Sequence, residues 1–188
     1  MNKTIDLPEN AFCRYEGIFL EALARAEVTI NSLLPEGNKV YVVPFDFEYI
    51  ATWESQWPSL GDGINDSVFD FKKLLLRRKK RAKWFVFSVW DDDKIFCIFA
   101  GKVSPRSNLV SINFLEANKA YEGKLKSKAS FAASLIINEV AISVGAKNIA
   151  LIKPVNDKVE KHYCSLGYKK GFLYGIKKAV FKKTEVIT

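Results

Sequence analysis

The sequence predicts an α/β domain built on a mixed, largely antiparallel central sheet flanked by helices, and three stretches of the 188-residue chain support this prediction. Strand, helix and strand patterns alternate along 109–168, which places two neighbouring strands in parallel with the helix as their crossover. Trp84–Trp90 and Lys94–Val103 are apolar runs joined by a short acidic turn, as in a hairpin. Along 10–34 apolar residues recur at steps of three and four, which predicts an additional N-terminal helix with one buried face.

Composition and charge limit the class of protein. The length suits one domain with a sizeable core, so we expect residues 1–188 to form a single domain. The net charge of +8 favours an acidic partner, although solubility alone accounts for it equally well. The single His162 excludes a multi-histidine metal site, and the three cysteines lack metal-ligand spacing. Without a signal-peptide pattern or a membrane-length apolar run, we expect a cytoplasmic protein that does not enter a membrane.

The first half of the chain contains several further elements. Lys39–Phe47 has the pattern of a strand. Asp66 or Ser67 is placed to cap a helix, and this helix ends in the cationic run Arg77–Arg81. Cations suit the C-terminal end of a helix dipole, so we expect a solvated helix end, with a landing surface for a polyanion as the alternative. We expect Asp91–Asp93 to form a solvated turn.

The second half alternates between strands and helices. Its predicted elements, in order, are a strand (Leu109–Ala117), the crossover helix (Ser127–Val144), a strand (Asn148–Val155), a short helix (Asn156–Leu166) and one or two closing strands (Lys169–Lys183). Asn156 or Asp157 caps the short helix.

A basic loop precedes the crossover helix. Free backbone N–H groups and the positive end of the dipole make a helix start an anion site, and lysines add charge there. An ordinary basic loop is the alternative. The lysines of this loop are Lys119, Lys124, Lys126 and Lys128.

Two motifs resemble the GNAT family of acyl-CoA N-acyltransferases. Tyr163-Cys-Ser-Leu-Gly-Tyr168 is similar to that family's Tyr-x-x-Leu-Gly-Phe. The family's phosphate loop has Gln or Arg, two residues, Gly, one residue, then Gly or Ala. On this sequence those positions fall on Lys124, Ser127 and Ala129, of which only Ala129 meets the pattern directly. The order of elements resembles the family over 39–181, and the N-terminal helix is additional to the minimal GNAT-like fold.

The resemblance implies a cofactor site for acetyl-CoA or another acyl-CoA. The cofactor would lie in a slot where the two parallel strands separate, and its pantetheine arm would pair with the backbone of Leu115 and Ala117. Asn156 would contact the pantetheine or order water, although it suits a helix cap as well. The diphosphate would be bound by the loop residues Lys124, Leu125, Lys126, Ser127, Lys128 and Ala129.

The resemblance also implies two catalytic residues. Tyr163 would donate a proton to the departing CoA thiolate, with ordinary packing as the alternative. Glu116 would take the proton of the acceptor amine, directly or through water, with an ordinary surface carboxylate as the alternative. Asn113, which strand alternation places on the same face as Leu115, is an alternative buried polar residue.

The activity that these residues imply is N-acyl transfer, with an acetyl group passing from acetyl-CoA to a primary amine by direct attack. The acceptor is a small-molecule or protein amine. Two alternatives stay open: an acyltransferase that uses an acyl carrier protein as donor, and a degenerate GNAT-fold binding module for nucleic acid or another polyanion. Arg77–Arg81 would dock either polyanionic partner. A homodimer through the N-terminal helix is also open.

Overall fold

The structure, a computed structural model, describes residues 8–35, 39–57, 69–154, 156–173, 175 and 177–185. These ranges contain five α-helices and seven β-strands. The helices are α1 (Pro8–Ser32), α2 (Ile50–Gln56), α3 (Phe71–Lys79), α4 (Ala129–Ser143) and α5 (Asp157–Ser165). The strands are β1 (Val40–Pro44), β2 (Trp84–Asp91), β3 (Lys94–Val103), β4 (Leu109–Ala117), β5 (Asn148–Ile152), β6 (Lys169–Leu173) and β7 (Lys177–Lys183).

The seven strands form one sheet in the order β1-β2-β3-β4-β5-β7-β6. Neighbours are antiparallel except β4 and β5, which run parallel. Since α4 connects these two strands, it is the crossover helix. The predicted mixed, largely antiparallel sheet is therefore confirmed, and its parallel pair lies where the sequence placed it.

Helices cover both faces of the sheet. Because side chains alternate along a strand, Phe85 and Phe87 of β2 pack with α1 and α4, whereas Val86 packs with α2 and α3. The predicted N-terminal helix is thus present as α1. It also contacts α4, where Arg25 forms an ion pair with Glu139 at 3.1 Å.

A β-bulge interrupts β4. Ala100 of β3 pairs with Phe114 and Gly101 pairs with Ile112, so Asn113 is an extra residue with no partner in the β3 register. On the other side, β5 pairs with β4 only through Leu109–Ile112. Just beyond, Lys153 has a φ of 53°, and its N–H donates to Lys178 of β7 rather than to β4. The parallel strands therefore separate at the bulge.

Local capping shifts several predicted boundaries. Asp70 caps α3 by accepting a hydrogen bond from the Lys73 N–H at 2.9 Å, so this helix starts later than predicted. The predicted caps Asp66 and Ser67 lie outside the described residues. Asp46 likewise accepts from its neighbour's N–H and starts a 3-10 turn, so β1 ends at Pro44 rather than at Phe47.

Candidate functional site

The gap between β4 and β5 is the centre of the candidate site. Leu115 and Ala117 follow the bulge, are half-buried, and pack with the cluster beneath α1 and α4. Their backbones pair with Phe99 and Cys97 of β3. Toward β5 this part of β4 has no strand partner in the described residues, and such an edge suits an extended ligand.

The start of α4 lacks a side-chain cap. Its N-cap residue Lys128 makes no capping hydrogen bond through its side chain, whereas Asp70 and Asn156 cap α3 and α5. The first N–H groups of a helix have no intrahelical acceptor, and the helix dipole favours an anion beside them. The amides from Ala129 onward are therefore suited to an anionic group.

Ser127 adopts the backbone conformation of a glycine. Its φ is 65°, in the left-handed region where a Cβ is unfavourable. This is the position at which the family's phosphate loop has its first glycine. A glycine would adopt this backbone conformation without the steric cost that a serine pays. The helix α4 begins at Ala129 rather than at Ser127.

The loop residues predicted to bind the diphosphate differ in what they contact. Lys124 pairs with Asp91 at 2.6 Å and its side chain is only 18% exposed. Lys126 pairs with Glu122 at 2.5 Å, with both side chains exposed. Leu125 is buried in the core, so it presents only its backbone to a ligand. Lys128 is exposed and makes no ion pair within the described residues.

The prediction that Asp91–Asp93 is a solvated turn is confirmed for Asp92 and Asp93, which form an exposed turn, and is wrong for Asp91. It ends β2, and its side chain is 12% exposed. The Tyr121 hydroxyl donates to Asp91 Oδ2 at 2.5 Å. Burial, and then this hydrogen bond, raise the pKa of Tyr121 to about 12. Sequence reasoning missed this contact because nothing local links the acidic hairpin to a loop about 30 residues later.

Tyr163 is buried where several parts of the site meet. It is 1% exposed, and its hydroxyl makes no hydrogen bond within the described part of the chain. The Ser130 side chain, in the first turn of α4, lies close enough to lower the Tyr163 pKa by hydrogen bonding, although the contact is outside good hydrogen-bond geometry. Cys97, the register partner of Ala117, is a further electrostatic neighbour. Burial raises the pKa of Tyr163, so the hydroxyl stays protonated at ordinary pH. An unsatisfied buried hydroxyl is costly, which makes a ligand partner favourable here.

Glu116 and Tyr163 lie on opposite faces of the sheet. Glu116 pairs in register with Ile98, which packs with α2 and α3. Asn113 is on this face as well, because it accepts a hydrogen bond from Ser111 at 3.1 Å. The prediction that Asn113 shares the face of Leu115 is therefore wrong. The extra residue of the bulge shifts the alternation by one position.

Asn156 acts as a helix cap. Its side-chain oxygen accepts a hydrogen bond from the Val159 N–H at 2.9 Å, and its backbone is extended. The predicted cap is thus confirmed. The side chain is exposed at the end of the Lys153–Asn156 connection that follows β5.

The predicted solvated helix end holds for Lys79, Lys80 and Arg81, which are exposed, whereas Arg77 and Arg78 are partly buried. Arg77 and Lys79 stack over the rings of Trp84 and Phe47, at 5.1 and 4.6 Å from the ring centroids. Arg78 is 20% exposed and lies 3.6 Å from carboxylates of Glu16 and Asp46. These cations therefore hold α3 against neighbouring elements, because long basic side chains pack along apolar surface as well as pairing.

Two kinds of feature are absent from the part of the chain that the structure describes. None of its helices is long and apolar enough to cross a membrane. No three His, Cys, Asp or Glu side chains come together there as metal ligands.

The opened parallel pair, the crossover helix with its uncapped start and the antiparallel strands on either side define the GNAT fold. Solved structures of N-acetyltransferases share it. One is PaiA from Thermoplasma acidophilum in complex with coenzyme A, at 12% identity over 77% of this chain and 99% of that chain, with a TM-score of 0.50. A chimera of spermidine N-acetyltransferase SpeG from Vibrio cholerae and hSSAT has 12% identity over 77% and 95%, with a TM-score of 0.55.

A third similar structure is the GNAT domain of S. lividans PAT, at 13% identity over 77% of this chain and 90% of that chain, with a TM-score of 0.55. No family model matches the sequence, and no curated protein matches it either. The predicted GNAT-like fold is therefore confirmed from structure, at identities where sequence similarity is weak.

Proposed function

We propose that the protein is an acyl-CoA-dependent N-acyltransferase that moves an acetyl group from acetyl-CoA to a primary amine. One observation carries the proposal: the Tyr163 hydroxyl is buried near Ser130 at the uncapped start of α4 and near Cys97, the register partner of Ala117, and makes no hydrogen bond of good geometry within the described residues. A fold alone does not determine activity, whereas a buried donor without an acceptor in such a gap calls for a ligand. The coenzyme A complex of PaiA adds support by analogy.

The proposed cofactor site follows the gap. The diphosphate lies at the 124–129 loop, where amides at the start of α4 and the exposed Lys126 and Lys128 favour an anion. The pantetheine arm pairs with the backbone of Leu115 and Ala117 as an added strand would. Asn156 keeps its capping bond and contacts the arm from the far side of the gap.

Acyl-CoA would supply an activated thioester, and the residues of this chain would do the rest. The backbone N–H near Ala117 donates to the carbonyl oxygen, on which negative charge develops as the amine attacks. Glu116 accepts the proton that the amine loses. Tyr163 would donate its hydroxyl hydrogen to the thiolate sulfur, and the raised pKa means only that the hydroxyl is protonated before that step.

Calorimetric titration with CoA tests the proposal. Wild-type protein should bind CoA, and acetyl-CoA should then be consumed when primary amines are supplied. Polyamines, aminoglycosides and peptide amines form a suitable first panel, because each presents a primary amine. If millimolar CoA gives no binding, the enzyme proposal fails.

The net charge of +8 supports a second candidate, in which a polyanion binds at the basic run. Ion pairing with a polyanion makes affinity salt-dependent, so titration of duplex DNA, RNA and an acyl carrier protein at two salt concentrations is the test. We expect no tight complex at physiological salt, because several cations of the run already contact protein groups. Nanomolar binding that disappears in the triple change Arg77→Ala, Arg78→Ala and Arg81→Ala would favour the binding module instead.

A further inference from the structure

We propose that Asp91 is a positioning residue for the cofactor loop and that Lys124 acts through Asp91 rather than on the phosphate. This inference rests on the proposed function, since it concerns how that same loop is held. Asp91 belongs to the β2–β3 hairpin, whereas the loop follows β4, so the contact joins separate parts of the fold.

One carboxylate holds the loop at two points. Asp91 Oδ2 accepts the hydrogen bond of the Tyr121 hydroxyl at 2.5 Å, and Asp91 Oδ1 lies 2.6 Å from Lys124 Nζ. Both side chains of the ion pair are mostly buried, at 12% and 18% exposed. Partly buried pairs are screened less than exposed ones, so this contact persists at physiological salt.

The phenol of Tyr121 transmits the restraint toward α4. Tyr121 is 4% exposed, and its ring packs against that of Phe96, with centroids 4.8 Å apart. Its oxygen also accepts a hydrogen bond from the Leu125 N–H at 3.1 Å, two residues before Ser127. Gly123 lies so close to this ring that an added Cβ would be 2.1 Å from the hydroxyl oxygen. The loop backbone is therefore wrapped around the phenol, and Asp91 holds the phenol in place.

The Lys124 ammonium is consequently paired with Asp91 and is not available to a phosphate. If its ammonium moved to a phosphate, Asp91 would be a mostly buried carboxylate without a cation, and breaking such a pair is costly. Lys126 is released more easily, because both side chains of its pair with Glu122 are exposed, and Lys128 makes no ion pair within the described residues. The residue that occupies the charged position of the phosphate-loop pattern would thus fix the loop, while amides of α4 and the later lysines receive the anion. A loop already held in its binding conformation loses less entropy when the ligand arrives.

The direction in which Asp91→Asn changes CoA affinity separates this mechanism from direct phosphate binding by Lys124. Asp91→Asn keeps the size and an acceptor for Tyr121 but removes the charge. If Asp91 positions the loop, CoA affinity measured by calorimetry should fall about tenfold, the scale of a coupling between contacting residues. If Asp91 merely withholds Lys124 from the phosphate, the same change should tighten CoA binding. Affinity equal to or tighter than that of the control overturns the proposal.

Two control variants test whether a change in CoA affinity comes from loss of charge or of stability in general. Asp92→Asn takes the same charge from the same turn without touching the loop contacts, and should leave CoA affinity unchanged. Glu139→Gln breaks the partly buried pair with Arg25 elsewhere on α4, and should lower the melting temperature without changing CoA affinity. Lys124→Met combined with Asp91→Asn should bind CoA no more weakly than the weaker single variant, because both act through one contact. Additive losses would overturn the assignment of Lys124.

Amide hydrogen exchange at Leu125 gives a readout that does not depend on CoA. Exchange should accelerate in Asp91→Asn and stay at the wild-type rate in Asp92→Asn, because only the former loosens the acceptor of this amide. If amide exchange at Leu125 is unchanged in Asp91→Asn, Asp91 does not hold the loop, even if CoA binds. Accelerated exchange in a protein that does not bind CoA would mean that the proposed function fails, while Asp91 still holds the loop.

Discussion

Ser127→Gly tests whether the phosphate loop is strained by its serine. Ser127 is exposed and has a φ of 65°, a conformation that costs a residue with a Cβ about 1–2 kcal/mol. Glycine removes that cost but adds roughly 0.5–1 kcal/mol of chain entropy to the unfolded state. The difference is a net stabilisation of about 0–1.5 kcal/mol. Its midpoint, roughly 0.75 kcal/mol, raises the melting temperature of a chain of this length by about 2 °C.

The same substitution should preserve or strengthen CoA binding, because without a Cβ the backbone approaches a phosphate more closely. Calorimetry with CoA and thermal melts by circular dichroism measure the two effects. Ser127→Ala completes the comparison, since it removes the hydroxyl while keeping the strain. Weaker binding in both variants would mean that the hydroxyl itself is a ligand, which would refute the argument from backbone shape.

Ser107→Gly is the matched control for this prediction. Ser107 has a φ of 54° in the turn between β3 and β4, at the opposite end of β4 from the loop. Its hydroxyl contacts Tyr15 and Lys83 at 3.3 Å, so part of the stability gain is offset. CoA affinity should not change. An equal change in affinity from Ser107→Gly would show that the effect at Ser127 is global rather than local.

Three further predictions concern separate parts of the protein. Tyr163→Phe should lower turnover by roughly 10²-fold with CoA affinity nearly intact, because only the donor to the leaving thiolate is lost; unchanged turnover would leave Tyr163 as a packing residue. Reversing the charge of Lys126 and Lys128 should weaken CoA binding at low salt more than at high salt, and binding that survives would place the diphosphate elsewhere. Glu160→Gln should reduce the acid sensitivity of the melting temperature. Hydrogen bonding, first from Lys170, lowers the pKa of Glu160, so its contribution is complete above the unfolded-state pKa and is lost as pH falls through the lowered one; equal acid sensitivity in both proteins would contradict this.

Sequence patterns predicted elements well where local signals agree. The bounds of Lys94–Val103 and Leu109–Ala117 match the structure, because each apolar run is closed by turn residues on both sides. The predicted start of α3 was wrong. Asp66 and Ser67 can accept a capping hydrogen bond as Asp70 does, and the sequence alone does not show which of the three makes it. The start of a helix thus depends on which of several chemically equivalent side chains makes the capping hydrogen bond.

The face of a residue on β4 was harder to predict. Alternation assumes an unbroken strand, and a single extra residue at Asn113 reverses it for Phe114 and everything beyond. The packing shows the change: Ile112 and Leu115, an even and an odd position, both lie with the cluster beneath α4. On β4 itself no glycine or proline marks the bulge, and the glycine beside it is Gly101 on the partner strand β3, where an added Cβ would be 2.0 Å from the Ser111 carbonyl oxygen.

Pairing between distant charges was beyond sequence reasoning. Lys124 matches the charged position of a phosphate loop by type, and a motif records type and spacing alone. Whether the ammonium faces a ligand or a neighbouring carboxylate depends on Asp91, which a hairpin 33 positions earlier brings beside the loop. The same residue type therefore supports two roles, and only the fold distinguishes them.

The bulge also separates the two proposed proton transfers. Glu116 lies on the face covered by α2 and α3, whereas Tyr163 lies on the face covered by α4. An amine that approaches Glu116 and a thiolate that leaves toward Tyr163 are then on opposite sides of β4, with the thioester carbon between them. A base and an acid so placed would not exchange a proton directly. In the proposed complex, the separation of β4 from β5 would give one bound thioester access to both faces.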